Sequence, residues 1–170
     1  MTWTSPTPEL VDGPLTGEDR PILEAVLAHH RATLLNICAG LTAEQLAARP
    51  VPPSTLSLLG LVRHLAKVER IWLRQRAAGQ DVPALHGGPG DPTDLADADA
   101  TRAGQEVQAL LDEWRLADEA AAALPFTYEI NHRGDAMSLR MIYVHLIGEY
   151  ARHNGHADLL RQTLDGVTGR

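Results

Sequence analysis

The chain has 170 residues, a formal net charge of −7 and a single cysteine, Cys38. This length suits one domain with a substantial core, and the scattered Lys and Arg residues form no basic run that would follow a phosphate backbone, so no nucleic-acid partner is expected. One cysteine allows no intrachain disulfide, and no stretch resembles a signal peptide or a membrane span, so we expect a cytoplasmic protein without a membrane partner.

The N-terminal part predicts an arm followed by a long helix. Residues 1–15 are rich in proline and are expected to form an extended arm over the surface, with residues 16–170 forming the domain. Thr16 offers an N-cap, and apolar residues at helical spacing continue to about Ala39. The first long helix is therefore predicted between these two residues.

A short helix and a second long helix are predicted next. Thr42 and Gln45 have the spacing of a capping box, which predicts a short helix over 43–48 before a proline-rich stop. Ser57 is placed to cap the second long helix, which ends near Gly79.

The third long helix follows an unusually long loop. Residues 79–97 are rich in Gly, Pro and Asp and have no periodic pattern, and loops of this length tend to be functional or mobile. His86 in this loop is a candidate to approach the open side of a metal site, but we interpret it as a solvated side chain. Asp97 or Asp99 is expected to begin the third helix, which Pro125 ends.

The last part of the chain predicts the longest helix. Residues 126–137 are interpreted as irregular, with no convincing strand hairpin, and Ser138 caps a helix that runs to about Asp165 before Gly166. Four long amphipathic helices and no repeat predict an all-α fold, an up-and-down four-helix bundle with a short extra helix and long loops.

Two ionisable residues lie within the apolar stripe of this last helix. Glu149 and His153 are one turn apart and project within or beside the arc of its apolar residues, which are Ile142, Leu146, Leu160 and Leu164. A buried carboxylate is normally protonated, ion-paired or bound to a metal, because leaving it unpaired costs several kcal/mol. The pair therefore predicts either a simple Glu–His contact or part of a metal site.

A third ligand is predicted on the second long helix. His64 projects at the rim of the stripe formed by Leu61, Leu65, Val68 and Trp72, and two facing antiparallel helices would bring it to the Glu149/His153 pair. A His/Glu/His set leaves a coordination position open, as in catalytic zinc sites, and also suits nickel, iron or manganese. The alternative for His64 is a hydrogen-bonded core histidine.

Other reactive side chains are open to several interpretations. His145 and His156 project near Glu149, so each is a candidate to replace a ligand, to orient one, or to face solvent. Cys38 lies between apolar residues with no base nearby in sequence, and we interpret it as a packing residue.

Two long motifs resemble a known family. The segments PVPPSTLSLLGLVRHLAKVERIWL and SLRMIYVHLIGEYARHNGHADLLR, with the ending LDGVTG, resemble the actinobacterial DinB/YfiT-like proteins, a branch long described as of unknown function and sometimes called mini-circle proteins. The resemblance runs from about Leu15 to the C-terminus. It implies a four-helix bundle, often a homodimer, that holds a divalent metal.

The resemblance also implies roles for particular residues. The family's second-helix histidine matches His64, and its last-helix pair matches Glu149 and His153, with glutamate at 149 as in the thiol-dependent maleylpyruvate isomerase relatives. His156 stands where many relatives have glutamine, which favours a supporting role. Met141 replaces the tryptophan usual in close relatives, so an aromatic pocket wall is not expected there.

These observations lead to a functional hypothesis that favours an enzyme. The resemblance implies a divalent-metal-dependent thiol S-transferase, with zinc or nickel as the metal and mycothiol as the co-substrate, acting on an electrophilic small molecule. Arg152 and His156 are candidates to orient ligands or to bind anionic parts of the substrate. The alternatives are a metal-assisted hydrolase and a non-catalytic protein that binds a metal or small ligand.

Overall fold

A computed structural model describes residues 2–9 and 12–168, and this part of the chain is mostly helical, as predicted. The α-helices are α1 (Asp19–Cys38), α2 (Ala43–Ala47), α3 (Leu58–Glu69), α4 (Thr93–Ala96), α5 (Ala103–Ala122) and α6 (Leu139–Asp165). A π-helix (Arg70–Ala77) extends α3, a 3-10 turn (Ala100–Arg102) precedes α5, and two short strands, β1 (Glu129–His132) and β2 (Asp135–Ser138), precede α6.

The long helices enclose a leucine-rich core. Helix α1 packs mainly on α6, while α3 packs on both α5 and α6. Because α3 contacts α6 directly, side chains on their facing sides can meet inside the protein. The fully buried leucines of these helices include Leu34, Leu61, Leu65, Leu110 and Leu146, each of which contributes about 1.5 to 3 kcal/mol by leaving water.

Most of the predicted helix starts are confirmed. The capping box of Thr42 with Gln45 is present, Ser57 and Ser138 accept hydrogen bonds from the first turns of α3 and α6, and Gly166 ends α6 in a left-handed conformation. The prediction for Thr16 was wrong, because α1 begins at Asp19 and no side chain caps it.

The second long helix changes its hydrogen-bonding pattern after Glu69. Over Arg70–Ala77 it is a π-helix, and the amide of Ala78 donates to the carbonyl of Leu73, five residues back, at 3.0 Å. The sequence predicted one uninterrupted α-helix to Gly79, because an i→i+5 ladder leaves no clear mark on apolar periodicity. π-turns inside helices are rare and are found frequently at functional sites.

The long loop is fixed to α3 by buried cations. Arg63 donates to the carbonyl of Asp94 at 2.9 Å, and Lys67 donates to the carbonyl of Asp91 at 2.6 Å. Within the segment predicted as irregular, residues Thr93–Ala96 form the single-turn helix α4. The loop therefore presents a defined surface to α3.

The segment before α6 is a hairpin, so the prediction of an irregular 126–137 without strands was wrong. Strands β1 and β2 are antiparallel, with His132 opposite Asp135. The two residues between them, Arg133 and Gly134, both have positive φ values of 57° and 98°. A two-residue turn of this kind matches the twist of a hairpin, and only its glycine was a signal in the sequence.

The predicted arm is described only in part. Ser5 donates from its amide to the carbonyl of Leu41 at 2.9 Å, which fixes this stretch beside the end of α1. Residues 1, 10 and 11 of the arm and residues 169–170 of the predicted domain lie outside the described residues, and the division at residue 15 stays a prediction. Across residues 2–9 and 12–168, no helix is long and apolar enough to cross a membrane.

Candidate metal centre

Three ionisable side chains from α3 and α6 meet between the two helices. One donor atom from each of His64, Glu149 and His153 lies within 4.8 Å of the others. Glu149 and His153 are one turn apart on α6, and His64 comes from the facing side of α3. The convergence expected from the apolar stripes is present, and it depends on the direct packing of α3 on α6.

The distances within this trio are longer than hydrogen bonds. The Glu149 Oε2 atom lies 3.5 Å from His153 Nε2 and 3.9 Å from His64 Nε2. Ligand atoms bound tetrahedrally at zinc distances of 2.0–2.2 Å stand roughly 3.4 Å apart. The three donors therefore surround a space close to the size that a divalent cation requires.

His153 is held in the neutral state that metal binding requires. Burial lowers the pKa of His153 to about 4, and the nearby His64 acts in the same direction. At neutral pH its imidazole therefore keeps a free lone pair, which a ligand nitrogen must offer. The Nδ1 atom of His153 lies 3.3 Å from Nδ1 of His156, so the second ring nitrogen also has a neighbour.

Asp94 contacts the ring nitrogen of His64 that faces away from Glu149 and so orients the ring. Its Oδ2 atom lies 2.7 Å from His64 Nδ1, and its side chain is almost fully buried in α4. A carboxylate at Nδ1 holds the proton there and leaves the Nε2 lone pair facing Glu149, as partners of metal-binding histidines commonly do. No spacing in the sequence pointed to Asp94, because it lies thirty residues away from His64, in the loop.

The residues present fit a divalent cation. Two imidazoles and one carboxylate are a common catalytic donor set, which leaves at least one position for another molecule. Glu149 is half-buried, and among the residues described its oxygens accept no hydrogen bond, so no protein donor occupies the carboxylate. Nitrogen and oxygen donors of this kind accept zinc, nickel, iron or manganese.

The other candidate histidines lie beside the trio. The Nε2 atom of His145 is 3.9 Å from Glu149 Oε1, and its ring centroid is 4.4 Å from that of Trp72. His156 contacts His153 rather than Glu149. Arg152 is exposed on α6, next to His153 in sequence.

Two further sequence interpretations have clear outcomes. Cys38 is fully buried, and burial raises the pKa of its thiol to about 12, so the packing interpretation is confirmed. The interpretation of His86 as solvated was wrong, because its side chain is largely covered and its Nε2 atom lies 3.1 Å from Glu106 Oε2. At this point the loop packs against Glu106 of α5, which is paired with Arg63 of α3. The composition of the loop does not predict this packing.

A cavity of about 570 Å³ opens beside the trio. His64 of the trio forms part of its wall, together with Asp94 and His145, which contact or approach members of the trio. Further residues of α3, the loop over residues 79–97, the π-helix and the β-hairpin supply the rest of the wall. Side chains on these elements are therefore placed to contact a molecule that reaches the trio.

The fold and site define a helical protein in which two imidazoles and a carboxylate from α3 and α6 converge beside an open cavity. The sequence profile described as Mycothiol-S-transferase matches residues 22–166. The chain belongs to this family, which lies within the DinB/YfiT-like superfamily, and the resemblance seen in its motifs is thereby confirmed. Searches of curated proteins and of solved structures gave no significant match.

Proposed function

We propose that this protein is a divalent-metal-dependent S-transferase that adds mycothiol to an electrophilic small molecule, with His64, Glu149 and His153 as the metal ligands. The observation that carries the proposal is the convergence of the three donor atoms within 4.8 Å beside an open cavity. Membership of the Mycothiol-S-transferase family supports the thiol and the transfer reaction.

The bound cation, zinc or nickel, would supply a positive charge that lowers the pKa of the thiol, so that thiolate is present at neutral pH. Asp94 keeps the Nδ1 proton on His64, and His156 is placed to accept the Nδ1 proton of His153. Both contacts leave the Nε2 lone pairs directed at one place. With a chloroarene, the sulfur forms a bond to the ring carbon, chloride leaves with the electron pair of the broken bond, and the thiol proton passes to solvent.

His156 and Arg152 keep supporting roles in this proposal. His156 acts on the orientation of His153 through the 3.3 Å contact between their rings. Arg152 is exposed on α6 and directly precedes His153 in sequence, where its positive charge helps to lower the pKa of His153. Neither side chain belongs to the trio of donors.

The finer architecture and assembly are proposals as well. We propose that α1, α3 with its π-helical extension, α5 and α6 form an up-and-down four-helix bundle, which the packing of α1 on α6 and of α3 on α5 supports. We also propose a homodimer in the cytoplasm. Met141 and Val144, three residues apart on α6, are about half exposed and offer an apolar face to a second copy.

The test is thiol consumption by protein loaded with zinc, nickel or manganese, using mycothiol and a panel of electrophiles. The wild type is expected to consume thiol above the background rate, and His153→Ala to abolish this activity, because the cation would lose a ligand. His86→Ala serves as a comparison outside the trio and is expected to change substrate affinity at most.

Three outcomes decide between the functions. Thiol loss that requires metal and His153 supports the transferase. Hydrolysed product without thiol loss replaces it with the metal-assisted hydrolase. No turnover with any electrophile, together with tight metal binding, leaves the non-catalytic binding protein.

A further inference from the structure

The cavity beside the trio has a positively charged region that no carboxylate neutralises. Arg76 and Arg133 both line it, from the π-helix and from the hairpin turn. Among the residues that the structure describes, neither guanidinium is within ion-pair distance of an acid. Glu129 borders the adjoining groove with both arginines but pairs with neither.

The position of Arg76 is set by its neighbours. Its guanidinium carbon lies 4.2 Å from the centroid of the Trp72 ring, and one of its nitrogens is 3.5 Å from His132 Nδ1. Stacking on an indole holds the planar group in place while its donors remain available. Partial burial and the nearby charge of Arg133 lower the pKa of Arg76 from its ordinary value. A bound anion would relieve this repulsion.

The other cation in the cavity wall is already neutralised. The Lys67 ammonium donates to the carbonyl of Asp91 and lies 3.4 Å from Asp94 Oδ2. Asp94 also contacts His64, so the charges near the trio are balanced by an acid of the same wall. The excess positive charge is therefore confined to the side formed by Arg76 and Arg133.

An apolar surface lies in the same cavity as the two arginines and His64. It is formed by Val68, Ile71, Leu95 and Met137. His64 and Arg76 are twelve residues apart, which is at most about 18 Å along a helix before the length of their side chains is considered. A small molecule with a flat apolar body and an anionic group at one end matches this distribution.

We propose that this cavity binds the electrophile and selects substrates that carry an anionic group, such as a carboxylate, which Arg76 and Arg133 bind while the reactive carbon faces the trio. This inference rests on the proposed transferase function and adds the substrate class. From the sequence, Arg152 and His156 are the candidates to orient ligands or to bind anionic parts of the substrate, and neither is among the residues lining this cavity.

A pair of chloroarenes that differ mainly in charge tests the selection. 1-Chloro-2,4-dinitrobenzene is neutral, and 4-chloro-3,5-dinitrobenzoate carries a carboxylate; both lose chloride to a thiolate. With kcat/KM divided by the uncatalysed rate for each compound, the wild type is expected to prefer the benzoate about tenfold, the effect of one charged hydrogen bond.

Variants of the two arginines locate the preference. Arg76→Gln is expected to remove it by raising the KM of the benzoate and not that of the neutral compound, and Arg76→Lys to restore part of it. Arg133→Asn removes the second charge with a residue that tolerates positive φ, and should reduce the preference several-fold. Arg115→Gln, on an exposed part of α5, is the matched control and should change neither KM.

A binding measurement separates this inference from the proposed function. The non-reactive 3,5-dinitrobenzoate is titrated by calorimetry into wild type, Arg76→Gln and Arg133→Asn. Binding that depends on both arginines, without turnover of any electrophile, would leave the anion site standing and remove the transferase. Turnover with equal preference for the two chloroarenes in wild type and variants would overturn the inference alone, as would an increase in the KM of the thiol instead of the benzoate.

Discussion

Helices α3 and α6 each contribute to two polar sites, and the two sites differ in how the carboxylate is bound. In one site it accepts several hydrogen bonds from other side chains, and in the other it accepts none from the described residues. Glu69 is completely buried and accepts two hydrogen bonds from Arg31, at 2.7 and 2.8 Å, and one from the Tyr150 hydroxyl at 3.0 Å. Glu149, adjacent to Tyr150 in sequence, is half-buried, and its nearest ionisable partners among residues 2–9 and 12–168 are histidine nitrogens at 3.5 to 3.9 Å.

This difference distinguishes the candidate metal site from a structural ion pair. The Arg31–Glu69 pair is bidentate, so the charge of Glu69 is compensated within the protein. Trp114 donates to Tyr150 at 2.6 Å and extends the same network. Glu149 has no such partner among the described residues, so a positively charged ligand bound there would stabilise the fold.

The largest expected effect comes from breaking the satisfied site. Arg31→Met should lower the free energy of unfolding by about 3 to 5 kcal/mol, because it leaves the Glu69 charge buried with Tyr150 as its one remaining donor. Glu149→Gln, measured in chelator, should change it by less than about 0.5 kcal/mol, as for a substitution that disrupts no partner. Urea unfolding monitored by circular dichroism measures both. Equal losses in the two variants would contradict the comparison.

The next effect concerns the cation itself. At a free concentration one hundred times Kd, zinc should stabilise the wild type by about 2.7 kcal/mol, and chelator should lower the melting temperature without removing helical circular dichroism at room temperature. Glu149→Gln should lose this gain, whereas His86→Ala should keep it. Loss of helix on chelation would show that the metal is required for folding.

A smaller effect is expected at the partner of His64. Asp94→Asn should weaken zinc binding about 10- to 100-fold, because the carboxylate that fixes the Nδ1 proton of His64 is lost. Asp112→Asn, an exposed change on α5, is the control. Calorimetric titration with zinc measures the affinities, and an unchanged Kd for Asp94→Asn would show that His64 is oriented without it.

The smallest effect is the pH dependence of the metal-free protein. Burial lowers the pKa of His153 to about 4 in the folded protein, whereas the pKa of an unfolded histidine is about 6.5, so lowering the pH between these values favours the unfolded chain. Stability should therefore fall by about 1 to 2 kcal/mol as the pH drops through this window, allowing for the solvent that reaches the ring. His153→Gln should remove this part of the slope. Chemical denaturation in chelator at several pH values tests it, and identical slopes would show that another group is responsible.

Periodicity was sufficient to predict the main helices and the convergence of the trio. Glu149 and His153 lie in or beside the apolar stripe of α6, and His64 lies at the rim of the stripe of α3, which predicted that two facing helices could bring them together. The caps Thr42, Ser57 and Ser138 were readable because an N-cap is a local contact.

The features that were not predicted from the sequence depend on contacts between segments far apart in the chain. Asp94 reaches His64 through the loop, and Arg31 pairs with Glu69 across the core, thirty-eight residues apart. Neither spacing has a sequence signature. Arg76 was also missed, since its role follows from the hairpin that brings Arg133 beside it and from the stacking on Trp72.

The π-helix at Arg70–Ala77 separates the two functions of one continuous helix. His64 lies before it, while Trp72 and Arg76 lie within it. The directions in which Trp72 and Arg76 project from the helix axis are therefore set independently of the direction of His64. Deleting one residue from this segment would rotate the residues that follow about the helix axis while leaving His64 where it is. We therefore expect changes in length here to alter which molecules fit the cavity without disturbing the proposed metal ligands, a result that point substitutions achieve less readily.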